Sequence, residues 1–211
     1  MAALFGEEHE PRVLRLCQSD SEEDVDLLYV RVHSRFSNFL QHDTADSLGE
    51  PGSPLEEDLV QDLTSTPGGN DFQQRFITMK HPKLPSSDIL VCPERDVLWL
   101  NFDDDEEDLE EMSRHYGTQL SAIRNVIFEQ TEWDDIDACL NQLQHFPGVQ
   151  TIYVWLSSHL HLAGETPATE KEYFQEARAF QARDYTRFEE RNVTVQYIDY
   201  ERNLYGGFMR K

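Results

Sequence analysis

The chain has few cysteines, few basic residues and no long apolar run. The three cysteines, Cys17, Cys92 and Cys139, are odd in number and contain no Cys-x-x-Cys pair. Neither a disulfide framework nor a zinc knuckle is indicated, which points to a reducing compartment. Lys and Arg total 18 against 41 Asp and Glu, giving a formal net charge of −23. A field of that sign repels nucleic-acid phosphates and anionic lipid, so direct binding to nucleic acid or to a membrane surface is not expected. No run approaches the ~20 apolar residues that span a bilayer, and the opening "MAALFGEEHEP" lacks the basic and apolar parts of a secretion signal. Cytoplasm or nucleus is the expected location. The tripeptide Asn192-Val193-Thr194 fits a glycosylation sequon, but such a match arises often by chance.

Recognised catalytic motifs are absent as well. There is no Gly-x-Ser-x-Gly, no P-loop and no Gly-x-Gly-x-x-Gly. Gly68-Gly69 lies in a polar tract and predicts no phosphate cradle.

What the chain does contain is acid, unevenly spread. Residues 1–120 carry 27 acids and 9 bases, and residues 121–211 carry 14 and 9. Eight acids fall between Asp103 and Glu111, interrupted only by Leu109. As a calcium loop this stretch fails twice. Asp103, Asp105 and Glu107 alternate correctly, but the sixth position is Asp108 rather than Gly and the twelfth is Arg114 rather than Glu. A solvated connector running into a helix start is the expectation, because acids favour the positive end of a helix dipole. A second possibility is an acidic decoy that occupies the basic groove of a nucleic-acid-binding partner.

The length suits a single α/β domain over 1–211 with an unpacked insertion. Residues 41–71 are rich in Ser, Thr, Gly, Pro and acids and hold no aromatic residue, so a disordered acidic insertion is expected there. Ahead of it, "PRVLRLC" and "VDLLYVRVH" alternate as strands joined by the polar "QSDSEED", a hairpin pattern. Beyond it, "DILVCP" and "DVLWLNF" (88–93 and 96–102) read as a second hairpin. Leu109, Met112, Tyr116 and Leu120 then fall at helical spacing.

The remainder predicts a β-α-β-α-β unit. Its parts are a strand at 123–130, a helix at 131–146 capped by Thr131, and an apolar strand at 149–158. A helix from 170 to about 190 follows, opened by a Thr169/Glu172 capping box, and a last strand covers 193–200. Pro147-Gly148 stops the first helix. Such a unit requires parallel strands. The predicted fold is therefore a mixed sheet, antiparallel at its N-terminal strands and parallel toward the C-terminus, with helices packed on it.

Candidate chemistry is sparse. His159 and His161 flank Leu160 after the apolar strand and would share a face, as two metal ligands or simply as polar surface. Asp134, Asp135 and Asp137 lie in the first turns of a predicted helix, where capping accounts for them as readily as acid–base chemistry. Trp99, Trp133 and Trp155, with Phe128, Phe146 and Tyr153, fall on predicted buried faces and lack the flanking cations of a base-stacking platform. No catalytic, cofactor-binding or metal-binding residue is assigned, and no cofactor is implied. A metal-dependent hydrolase built on His159, His161 and carboxylates is the enzymatic alternative to a protein-interaction domain.

One resemblance is visible. "ILVCPERDVLWLNF", "IRNVIFEQTEW" and "LNQLQHFPGVQTIYVWLSS" resemble the second half of the fungal domain family named for its two Glu-x-Arg motifs. The likeness covers roughly 88–158 and is carried by Asp96–Leu100 and by Phe146–Ile152. Neither that family's F-box-like opening nor its two signature motifs occur in the chain. The resemblance implies a filamentous-fungal intracellular protein that binds other proteins, and the net charge of the chain permits a basic partner. That family has no established enzymatic activity, so no catalytic residue carries over.

Overall fold

A computed structural model describes residues 11–18, 28–35, 76–84, 88–100, 106–156, 169–188, 192–199 and 202–210. The expected insertion at 41–71, residues 103–105 of the acidic stretch, and His159 and His161 lie outside them.

Nine strands are described. β1 (Arg12–Gln18) and β2 (Leu28–Arg35) form the N-terminal antiparallel pair, and β3 (Ile77–Met79) pairs with β4 (Ile89–Val91) in a separate ribbon. β5 (Val97–Trp99), β6 (Asn125–Glu129), β7 (Thr151–Trp155), β8 (Thr194–Ile198) and β9 (Leu204–Met209) complete a seven-stranded sheet in the order β2-β1-β5-β6-β7-β8-β9. The five strands β1, β5, β6, β7 and β8 run parallel to one another, and β9 returns antiparallel to β8. The mixed α/β class with parallel β6, β7 and β8 is as the sequence predicts.

From β5 to β8 the sheet grows one strand at a time in one direction. Crossovers of one hand then place every connecting helix on the same face. Those connections are α1 (Glu106–Tyr116) with the 3-10 turn Gly117–Ala122, then α2 (Gln130–Trp133) and α3 (Ile136–Leu143), then α4 (Glu170–Asp184). Side chains alternate accordingly. Leu98, Val126, Phe128, Ile152, Val154, Val195 and Tyr197 face the helices in the main core. Val13, Val97, Ile127, Tyr153, Trp155 and Ile198 form a second buried cluster on the other face, with Trp99 packed against it. No described helix contributes a residue to that second cluster.

Four sequence expectations need correction. The segments at 88–93 and 96–102 are not a hairpin: β4 pairs with β3, while β5 enters the main sheet between β1 and β6. The turn between them is tied by Asp96, whose carboxylate accepts the Cys92 N–H (2.7 Å) and meets the Arg12 guanidinium. β5 carries apolar residues on both faces, which suits a central parallel strand rather than one arm of a ribbon.

The helix expected at 131–146 is two helices, and its cap is not Thr131. Glu132 reaches back to the Glu129 N–H (3.0 Å) at the start of α2. Asp135 then leaves helical geometry (φ −94, ψ 75) and caps α3 by accepting the Ala138 N–H (3.1 Å). Asp competes for backbone donors in this way, and here that divides the run.

α4 begins at the expected Thr169/Glu172 box but ends at Asp184. Its inward residues are Tyr173, Ala177, Phe180 and Asp184, while Phe174 is exposed.

Finally, β8 is not the last strand. β9 follows, its two glycines hiding the strand pattern. A Cβ at Gly207 would lie 2.3 Å from the Val195 carbonyl oxygen, and one at Gly206 would lie 3.3 Å from Ala177 Cβ. Close approach to the β8 backbone requires glycine at 207, and a side chain at 206 would press on α4.

Candidate functional site

Among the described residues, the acids flagged by the sequence do not converge. Asp135 is a helix cap, Asp137 pairs with Arg187 at the surface (3.1 Å), and the Asp134 carbonyl accepts from Arg183 (3.2 Å). Glu106 to Glu111 form the first half of α1, so the second part of the acidic run is helical. Cys92 and Cys139 are free and buried, and burial pushes both thiols up in pKa, which makes them poor nucleophiles. Among the described residues no group of three His, Cys, Asp or Glu is placed to hold a metal. No described helix is long and apolar enough to cross a membrane. The flagged aromatics pack as expected: Trp133, Phe128 and Phe146 are fully buried, and Tyr153 and Trp155 nearly so. Trp99 is half-buried beneath the Arg15 guanidinium (4.8 Å).

The buried polar groups that do converge were not legible as sites. Asp184 is fully buried and accepts from Trp133 Nε1 (2.6 Å), the Tyr197 hydroxyl (3.0 Å) and Arg183 Nε. Arg183 also donates to the Trp133 carbonyl (2.8 Å). Burial, and next the Asp184 charge, push the Tyr197 hydroxyl far up in pKa. Every partner here is spoken for, so the cluster fastens α4 to α2 and β8. Asp199 does the same for the β8–β9 turn, accepting from the Asn203 N–H (2.9 Å), Asn203 Nδ2 (3.1 Å) and the Tyr205 hydroxyl (2.7 Å).

Among the described residues, four of the six large exposed apolar side chains gather along one border, the other two being Ile77 and Leu90 on the β3–β4 ribbon. β9 ends the sheet, and among the described residues no strand pairs with its outer side. Arg210 donates its N–H to the Val193 carbonyl (2.9 Å). Alternation in an antiparallel pair then turns the backbone groups of Phe208 and Gly206 toward β8, and those of Met209 and Gly207 outward. Leu204 and Met209 on β9 are 49% and 59% exposed, and Phe174 and Tyr185 on the α4 side are 41% and 45% exposed. These two aromatics overhang the strand: Phe174 meets Tyr205 edge-on (5.1 Å), and Tyr185 meets Phe208 (5.6 Å). Arg210 lies over Tyr185 (3.8 Å). A shallow open hollow beside them is lined by Glu170, Lys171, Phe174, Gln175 and Arg178. This border also differs in charge from the rest of the chain: residues 169–211 hold eight acids and eight bases, so the whole net charge of −23 resides in residues 1–168. A strand hidden by its glycines could not be anticipated as an edge. The signal that was present is the run of aromatic and apolar residues in "NLYGGFM" beyond the expected last strand.

No family model matches the chain, and neither the curated proteins nor the solved structures yield a significant match.

Proposed function

We propose that this chain is a non-enzymatic protein-interaction domain that receives an extended apolar segment of a basic protein partner along β9. The observation that carries the reading is the open β9 edge, with outward backbone groups and four large exposed apolar side chains beside it. An extended peptide satisfies such an edge by adding a strand, and pockets beside alternate residues give specificity. The division of charge supports the choice of partner. The −23 field of the body draws a basic protein in from a distance, while the charge-balanced edge lets a strand dock without burying unpaired carboxylates. The same field disfavours a second copy of this chain as occupant. Free, buried Cys92 and Cys139 support action in the cytoplasm or nucleus.

The test compares proteins recovered with the native chain and with two variants, Met209→Pro and the double variant Leu204→Lys/Met209→Lys. Proline at 209 removes an outward N–H that the β8 ladder does not use, so it blocks strand addition while leaving β9 in place. Partners lost from both variants, at an unchanged urea midpoint, support the reading. The same partners recovered equally with both variants contradict it.

A further inference from the structure

Residues 80–84 follow β3 and lie against α1 and the 3-10 turn. Two side chains hold them there. Gln119 accepts the Lys80 N–H (2.8 Å) and donates to the Lys80 carbonyl (3.1 Å). His81, 3% exposed, accepts two backbone N–H groups at Nδ1, from Lys83 (3.2 Å) and Leu84 (3.0 Å). A nitrogen that accepts two donors carries its lone pair, so the ring proton of neutral His81 sits on Nε2. Nε2 is buried with no hydrogen-bond partner. The ring stands edge-on to His115 (4.8 Å between centroids) and to Tyr116 (5.4 Å). His115 in turn places Nε2 3.6 Å from the Glu111 carboxylate, with Nδ1 buried and unpartnered.

This arrangement does not suit a metal. A ligating histidine donates its second N–H outward and offers a lone pair to the ion. In His81 the lone pair is already given to the backbone and the free nitrogen bears the proton. What the arrangement does suit is neutrality. A cation on His81 requires a proton on Nδ1, where it would face the two N–H groups now bound there. A second cation on His115 would lie one ring away.

We propose that the His81–His115 contact is an acid-released latch: protonation of the imidazole pair frees residues 80–84 from α1 and loosens β3, whose Met79 is fully buried in the main core.

The surrounding charges agree on direction. For His81, burial chiefly lowers the pKa from the ordinary 6.5, followed by His115 and Lys83, with Glu111 and Asp88 opposing. For His115, burial again leads in lowering it, followed by Lys83, with Glu111 opposing and Arg114 adding to the lowering. A histidine whose folded pKa is depressed contributes its full stability above the ordinary value of 6.5. It loses that contribution as pH falls below 6.5 toward the folded value, because unfolding then takes up protons. The latch is therefore closed at neutral pH and opens on mild acidification.

Amide hydrogen exchange of the full chain, corrected for intrinsic rates, tests this at pH 7.5 and 5.5. The expected result is a loss of protection of about tenfold or more at Lys80, Lys83 and Leu84, with β7 amides unchanged. In the double variant His81→Asn/His115→Gln the Asn oxygen replaces Nδ1 as acceptor and neither position titrates, so the pH dependence should vanish. His145→Gln, which alters a histidine held on the other side of α1 by Ser113 (2.9 Å), should retain it. Equal protection at the two pH values in the wild type, or pH dependence surviving in that double variant, overturns the proposal. Should that variant not fold, the His81 ring signal in the wild type decides: titration above 6.5 overturns the latch, and titration below 6.5 supports it.

Discussion

Asp184 shows how much of this molecule depends on single buried polar groups. Its carboxylate gathers donors from α2, β8 and its own helix, and no water-facing oxygen is left. Removing one partner of such a group strands the others, which costs far more than the contact contributes when intact. Asp184→Ala is therefore expected to destabilise by about 3–5 kcal/mol in chemical denaturation, since it leaves Arg183, Trp133 and Tyr197 without their acceptor. Asp137→Ala is the matched control. It breaks an exposed ion pair with Arg187 and should cost no more than about 1 kcal/mol. An equal loss in both variants would refute the assignment. At this scale the sequence was least informative. Asp134, Asp135 and Asp137 attract attention as a cluster, yet they cap, pair or sit at the surface. Asp184 and Asp96 look like ordinary helix and turn acids, because what makes them central is burial by segments distant in sequence.

Elements were easier to read wherever period and burial agree. β6 and β7 are buried on both faces and read as apolar runs, and Leu109, Met112, Tyr116 and Leu120 mark α1 and the turn after it. Asp96 ties the turn into β5, and a Cβ at Gly148 would lie 2.2 Å from the Ser121 carbonyl oxygen. Misreadings arose where tertiary contact overrides local preference. Asp135 breaks a helix that periodicity would continue, β4 leaves β5 for β3, and two glycines disguise β9. The last case makes a prediction of its own. Gly207→Ala places a methyl against the Val195 carbonyl and should push β9 off β8, destabilising by about 1–3 kcal/mol. Thermal and urea unfolding check it. A variant as stable as the parent would mean that β9 is not seated as described.

For the whole molecule, the one-directional strand order decides which surfaces remain. Helices fill one face of the sheet, a second apolar cluster forms on the other, and growth stops at β9. The net negative charge resides in residues 1–168, and the charge-balanced C-terminal border carries four of the six large exposed apolar residues among those described. Long-range attraction and short-range docking are thereby assigned to different parts of one chain. Everything proposed about function requires that the outer side of β9 be open in the free protein. Residue-resolved amide exchange on the isolated chain measures this directly. Slow exchange at Gly206, Phe208 and Arg210 with fast exchange at Gly207 and Met209 is the expected pattern, and uniform protection along all five would contradict the account.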